Sequence, residues 1–370
     1  MRVDEFDFDL PSELIAQQAA PRGESRLLVV DRPTGKLSAA AIRDLPSFLR
    51  RGDLLVTNDT RVFPARLLGR RVPSGGAVEC LLLSNLHPSA STLHPPPSDL
   101  QPPPSDLSPS TSETWLTLMH PGQKLKPGAR VLFEGAGATI VGEVLDRHFH
   151  GRRTIRLSVE RGSVADAIDA IGHIPLPPYI HRPDTTEDRD RYQTVFARHR
   201  GSVAAPTAGL HFDAPLLAAI DAAGVERVSI TLHVGYGTFK PVRAELVTEH
   251  VVDPEPYEIA PMAAEAIDAA RRDRRRVIAV GTTTTRTLED AARKGAGRIR
   301  AGRAEADIFM YPGHEFLVVG GLMTNFHLPK SSLLMLVAAF AGRERVLAAY
   351  REAVQMRYRF YSYGDAMLIL

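Results

Sequence analysis

The hydrophobic period of this chain changes twice along its length. From Asp53 to Val159 short apolar runs, DLLVTN, AVECLLL, TWLTLM, ARVLFEG, ATIVGEVL and RTIRLSV, are separated by Gly, Pro or charged residues. On either side, helix-length segments alternate with strand-like ones: DAPLLAAIDAAG precedes RVSITLHVG, and MAAEAIDAARRDRRR precedes VIAVG. One packing scheme cannot serve both periods. The first pattern predicts a closed antiparallel sheet or small β-barrel, and the second an α/β domain with a parallel or mixed sheet. The expected organisation is an α/β domain split into residues 1–59 and 161–370, with an antiparallel β-barrel domain inserted at 60–160. Asp213 with Pro215 behind it suits a helix start, and Gly224 its end. Ser331 or Ser332 caps a later helix.

Residues 85–113 hold the near-duplicate PPPSDL and PPPSDL in a run of Pro, Ser and Thr. Such a run buries too little apolar area to order itself, so it reads as a disordered loop lengthening a barrel hairpin. A Pro-rich peptide ligand is the alternative.

At 370 residues with 44% hydrophobic and 24% charged side chains, the chain has material for two cores. An acidic start, MRVDEFDFDL, argues against an export signal. The longest apolar stretch, Leu333 to Ala341, is far short of the roughly 20 residues that span a bilayer. It reads as a buried helix, and a cytoplasmic location is expected. The single cysteine, Cys80, excludes an internal disulfide or a cysteine-rich zinc site. A net charge of +2 means that any nucleic-acid contact rests on local patches.

Four clusters place Gly, Thr, Asn and His beside apolar strands. In GSVAAPTAGLHFD small residues let backbone approach a ligand, and His211 precedes a helix start; an ordinary tight loop is the alternative. TLHVGYGTFKPV sets His233, Gly235 and Gly237 at a strand's carboxyl end, where α/β sheets bind ligands, although a core histidine would fit too. VIAVGTTTTRTLED follows a strand with Gly and Thr282 to Thr285, which offer hydroxyls and amides or simply cap a helix. It lacks the spacings of common nucleotide loops. TNFHLPKSS holds Asn325 and His327 in a loop. The Tyr-rich end YRFYSYGDAMLIL must dock on the protein. His148 and His150 are closely spaced without matching carboxylates or cysteines, so no metal is expected. Arg271 to Arg276 sit at a predicted helix end as a solvated surface run, with RNA contact as the alternative. Arg61, Arg66, Arg70 and Arg71, on the barrel's first strands, form a second basic candidate for RNA contact.

Through FDFDLPSELIAQ, SRLLVVDR, GDLLVTNDTRVFPARL, IPLPPYI, DRDRYQTVFA, GSVAAPTAGLHF, ITLHVGYGTFKPVR, AVGTTTTRTLE, TNFHLPKSSLLMLVAAFAG and YRFYSYGDAMLI, the chain resembles the S-adenosylmethionine:tRNA ribosyltransferase-isomerases (the QueA family) from end to end. The resemblance implies an α/β domain with an inserted β-barrel, and a reaction. The ribosyl unit of S-adenosylmethionine passes to 7-aminomethyl-7-deazaguanine at the wobble position of tRNA, giving epoxyqueuosine, adenine and methionine. No metal or other cofactor is implied, and a monomer is expected. A sulfonium acidifies the adjacent ribose carbon, adenine leaves protonated, and an epoxide forms through a sugar oxygen, so acid, base and donor groups are needed. On this basis His211, His233 and His327 are expected to line the site, one as base. Thr282, Thr283, Arg286, Gly235, Gly237 and Asn325 are expected to hold the donor. The anticodon loop can splay its base for stacking, with Tyr192, Phe239 and Tyr363 as candidates, each of which reads equally well as a packing residue, Gln193 beside them, and Arg61 and Arg66 on the RNA. The family's second histidine in TEHVVDPEPY is Asp253 here, an aspartate common before TNFHLP is Gly320, and the 85–113 loop is additional. An S-adenosylmethionine or nucleoside enzyme without RNA, or a non-catalytic RNA-binding barrel, are the rival expectations.

Overall fold

The computed structural model describes residues 1–86 and 111–370, with Phe239 as backbone only. The described strands are β1 (Arg26–Val30), β2 (Leu37–Ala41), β3 (Leu54–Asn58), β4 (Thr60–Val62), β5 (Arg66–Val72), β6 (Ala77–Asn85), β7 (Ser112–His120), β8 (Arg130–Gly135), β9 (Ala138–Arg147), β10 (Arg152–Ser158), β11 (His199–Ser202), β12 (Glu226–Leu232), β13 (Glu255–Ile259), β14 (Val277–Val280), β15 (Gly302–Ala306), β16 (Gly321–Asn325) and β17 (Ala366–Ile369). The helices are α1 (Leu45–Phe48), α2 (Val164–Ile171), α3 (Thr186–Arg191), α4 (Ala214–Ala222), α5 (Pro261–Arg272), α6 (Thr282–Lys294), α7 (Ser332–Ala341) and α8 (Arg343–Gln355).

Two compact units result, one from Met1–Val62 with Leu176–Leu370 and one from Phe63–Pro175. In the first, a nine-stranded sheet runs in the order β15-β13-β12-β3-β14-β16-β17-β1-β2. Its middle, β12, β3, β14 and β16, is parallel. Antiparallel pairs close both flanks. The centre is buried on both faces: Leu54, Val56, Ile230 and Leu322 pack with Ile267 of α5, Leu288 of α6 and Leu336 of α7, while Leu55, Ile278 and Met323 pack with Leu45 of α1 and Leu216 of α4. DLLVTN, counted with the short apolar runs, is thus a strand of this sheet and falls inside the 1–59 segment expected for the α/β domain. All five positions of β3 are buried, and a strand covered on both faces reads as a continuous apolar run instead of an alternating one.

The second unit is a closed antiparallel barrel, β10-β7-β6-β5-β8-β9, filled by Leu67, Cys80, Phe133, Ile140, Val144, Ile155 and Leu157. Burial pushes the Cys80 thiol up to about 12, so it is an unreactive core group. Helix α2 packs on β8 and β9, which carries this unit to Pro175, past the expected boundary at 160. Of the expected 85–113 loop, residues 87–110 lie outside the described residues. Its edges are strand, Asn85 paired with Trp115 and Ser112 with Ser158, and the segment joins two neighbouring antiparallel strands as expected.

Local signals held where caps were involved. The Asp213 carboxylate accepts from the Leu216 amide at 2.8 Å and Ser331 Oγ from the Leu334 amide at 3.2 Å. Leu333 to Ala341 lies inside α7, and among the described residues no helix is long and apolar enough to cross a membrane. The run Arg271 to Arg276 is tied down, not simply solvated: Arg276 pairs with buried Asp53 at 2.5 Å and Arg275 with Glu226 at 2.8 Å. It holds the end of α5 against the start of β3.

Candidate active site

At the carboxyl ends of β12, β14 and β16 the first unit opens a cleft lined by residues 204–208, by Val234 and Thr238, by Gly281 to Thr283, by Thr324 to His327, and by Tyr179, Leu333, Tyr361 and Ser362. This is the edge where open α/β sheets bind ligands. Each of the four sequence clusters reaches it, as does the Tyr-rich end.

The cluster after β14 turns sharply because Gly281 has φ 94°, which a side chain would strain. Helix α6 then starts at Thr282 with its free amides and positive dipole end at the cleft. The four threonines divide. Thr284 and Thr285 donate back to the carbonyls of Val280 at 2.7 Å and Gly281 at 3.1 Å, whereas Thr282 and Thr283 line the cleft. Thr283 Oγ1 is buried and has no hydrogen-bond partner among the described residues.

Asn325 ends β16. Its Nδ2 donates to the Tyr361 carbonyl at 3.0 Å and lies 3.2 Å from His211 Nε2. A carbonyl only accepts, so the amide orientation is set and His211 Nε2 must be the acceptor. The His211 proton is then on Nδ1, 2.8 Å from Ser25 Oγ. Asn325 Oδ1 is left buried and, among the described residues, unpartnered beside the cleft. Tyr361 itself sits at φ 74°, an uncommon backbone state that presents its carbonyl to Asn325.

Of the three histidines expected to line the site, only His327 does so. Its backbone N–H donates to Tyr350 Oη at 3.1 Å, and that hydroxyl lies 3.3 Å from its Nδ1. His211 is fully enclosed behind Asn325. His233 does not line the cleft; its Nδ1 contacts Thr60 Oγ1 at 2.8 Å, and its ring lies where a Cβ on Gly201 would come within 2.6 Å. Close passage of the 201 backbone therefore needs glycine. Burial holds all three rings neutral, His211 and His233 at about 4 and His327 at about 3.

Arg286 is also absent from the cleft wall. It is buried, bonds the carboxylate of Glu255, and donates to the carbonyls of Ala306 at 3.0 Å and Ile308 at 3.3 Å. Glu255 in turn accepts from the Gly235 amide at 2.9 Å and Thr238 Oγ1 at 3.3 Å. The expected donor-binding arginine is thus a clamp that fixes the Gly235–Gly237 turn and, through it, cleft residue Thr238. The pairing across 31 residues of sequence was not visible in GTTTTR itself. Asp253 pairs with Lys240 at the surface. Gly320 precedes β16 at its far end, five residues before Asn325, or about 16 Å at the usual rise of a strand.

Of the two readings open for Tyr192 and Tyr363, base stacking and packing, the structure takes packing. Tyr192 is fully enclosed and meets Tyr363 edge-on at 5.9 Å, and the Tyr363 hydroxyl donates to Asp188 at 2.9 Å. Gln193 pins Val62, accepting from its amide at 3.1 Å and donating to its carbonyl at 2.7 Å. Arg61 is exposed on β4 of the α/β unit, not on the barrel. Arg66 lies in the barrel, ion-paired to Glu79 at 2.8 Å. The Phe239 side chain lies outside the described residues. The aromatic groups that do line the cleft, Tyr179 and Tyr361 with ring centres 3.9 Å apart, were present in IPLPPYI and YRFYSYGD but carried no local signal that set them apart.

The comparisons agree with this architecture. The family model described as "Queuosine biosynthesis protein" matches residues 3–369. The S-adenosylmethionine:tRNA ribosyltransferase-isomerases of Symbiobacterium thermophilum and Solibacter usitatus are 49% and 48% identical, each over 100% of both chains. The crystal structure of S-adenosylmethionine tRNA ribosyltransferase from Thermotoga maritima is 34% identical, with a TM-score of 0.52, over 99% of this chain and 100% of that one. A match that runs the whole chain, and embraces both the barrel and the four loops of the cleft, makes this protein a member of the queuosine biosynthesis family.

Proposed function

We propose that this protein is an S-adenosylmethionine:tRNA ribosyltransferase-isomerase, moving the ribosyl unit of S-adenosylmethionine to 7-aminomethyl-7-deazaguanine in the anticodon loop of tRNA, with adenine and methionine released. One observation carries the site assignment: two buried oxygens, Thr283 Oγ1 and Asn325 Oδ1, have no partner among the described residues and both belong to residues of one cleft. A buried polar atom left unmade costs about 1–3 kcal/mol, so a ligand that donates to Asn325 and bonds Thr283 recovers that loss.

The donor's parts suit the wall. The methionyl carboxylate matches the amide-rich start of α6, and the adenine face matches Tyr179 and Tyr361. His327 is the histidine that touches the ribosyl unit. Its neutral ring can accept a proton from the acidified carbon beside the sulfonium or donate to the sugar oxygen on which charge develops. His211 acts one bond removed, by holding Asn325 in orientation. His233 positions the turn that carries Val234. S-adenosylmethionine is consumed as substrate, and we propose that the protein acts in the cytoplasm as a monomer without metal or cofactor.

The test is incubation with S-adenosylmethionine and tRNA carrying the aminomethyl base, with mass spectrometry of nucleosides and of free adenine. Epoxyqueuosine with stoichiometric adenine is the expected result. Adenine release without RNA modification would sink the RNA half of the proposal, and no turnover by folded protein would sink both.

A further inference from the structure

On the barrel, β9 and β10 are joined by a tight turn, Phe149–Gly151, whose Phe149 is 87% exposed. Beside it lies a surface cleft lined by Gly122, Gln123, Arg147, His148, His150 and Arg153 among others. Arg153 is the unusual member, only 2% exposed. It donates to the carbonyls of Leu125 at 2.8 Å, Arg152 at 2.6 Å and Gly122. A guanidinium has five N–H groups, so two remain after these three bonds. No carboxylate pairs with Arg153 among the described residues, and burial, followed by the like charge of Arg147, lowers its proton affinity. A buried cation held only by carbonyls is costly unless an anion completes it. His148 is anchored through Nε2 to Thr154 Oγ1 at 2.8 Å, and His150 is exposed at φ 57°. Arg147, His148, His150 and Arg153 thus line one cleft, and an exposed aromatic ring is part of the same lining.

We propose that this hairpin grips a single-stranded stretch of RNA: a backbone phosphate seats in the cleft against Arg153 and Arg147, and an unpaired base beside it stacks on Phe149. An aromatic face next to a basic groove is the common device for holding an unpaired strand. The inference rests on the proposal that the substrate is an RNA, and adds where a strand is held on the barrel.

The test compares wild-type protein with Phe149→Ala, Arg147→Glu and Arg153→Lys, each checked for an unchanged melting profile. Affinity for unmodified tRNA is read by fluorescence anisotropy across a KCl series, and KM for tRNA is read separately from KM for S-adenosylmethionine. Phe149→Ala is expected to weaken tRNA binding about tenfold, as loss of one stacked base does. Arg147→Glu should lower the salt slope by about one phosphate contact. KM for S-adenosylmethionine should stay put in both. Arg153→Lys keeps the charge but not the fork, and should also bind more weakly. Unchanged tRNA affinity and salt slope in Phe149→Ala and Arg147→Glu overturn the inference; if inorganic phosphate still shifts the His148 and His150 proton resonances, the cleft holds a small anion instead. Wild-type protein that binds tRNA but forms no epoxyqueuosine overturns the proposed reaction and leaves this surface standing.

Discussion

Asn325 Nδ2 lies 3.2 Å from His211 Nε2 and also donates to the Tyr361 carbonyl, so a buried histidine holds an asparagine whose oxygen is left for the cleft. Asn325→Asp removes both donations and sets a carboxylate against a carbonyl. Activity should fall about 100-fold, the value of one or two well-placed hydrogen bonds, with the loss chiefly in kcat/KM for S-adenosylmethionine. Steady-state kinetics beside circular dichroism checks this; near-normal kcat/KM in folded protein removes Asn325 from the site.

Thr283→Val separates a ligand contact from a structural one. The hydroxyl has no protein partner among the described residues, so its removal should leave stability within about 0.5 kcal/mol or raise it, while KM for S-adenosylmethionine rises roughly tenfold. Thr284→Val is the contrast, because its hydroxyl bonds the Val280 carbonyl. It should leave KM unaltered. Equal KM in wild type and Thr283→Val would disprove the contact.

The pH dependence of stability follows from the enclosed histidines. Their folded values, about 4 for His211 and about 3 for His327, lie below the ordinary 6.5. The unfolded chain therefore binds more protons between these limits, and stability falls as pH drops from about 6.5, the His211 share levelling off below about 4 and the His327 share only below about 3. Each ring contributes on the order of 3 kcal/mol to that fall. Urea unfolding at pH 7, 5.5 and 4 should show a shallower decline for His211→Asn than for wild type. Parallel curves would mean that His211 is solvated in the folded chain.

The Arg286–Glu255 pair is a buried clamp. Arg286→Met strands a carboxylate and should cost about 3–5 kcal/mol. Adding Glu255→Leu should recover much of the stability but not the turnover, because the Gly235–Thr238 turn has lost its acceptor. Denaturant midpoints and turnover of the two variants decide it: full recovery of turnover in the double variant would show that the turn needs no clamp.

Gly320→Asp restores the residue common in the family's pattern. The position is exposed, and a Cβ there meets nothing closer than 3.7 Å. Activity should stay within twofold of wild type and stability within about 0.5 kcal/mol. A large gain in kcat would show that a carboxylate at the far end of β16 reaches the chemistry.

By itself, the sequence determined what depends on neighbours along the chain. Period separates the barrel from the α/β sheet, Asp213 and Ser331 cap their helices, and four Gly-, Thr- or His-bearing segments end strands, so loops of one cleft were legible from strand and turn chemistry. Tertiary structure decided everything that turns on which face a residue shows and what lies across from it. DLLVTN became the sheet's centre because helices cover both its sides. Tyr192 and Tyr363 became packing groups once Asp188 and their own edge-on contact enclosed them. Arg286 went to Glu255, 31 residues away, instead of to a ligand, and of three similar histidines only His327 met the cleft. Burial and hydrogen-bond partnership are properties of space, and a residue's place in a motif constrains its chemistry without saying which neighbour will claim it.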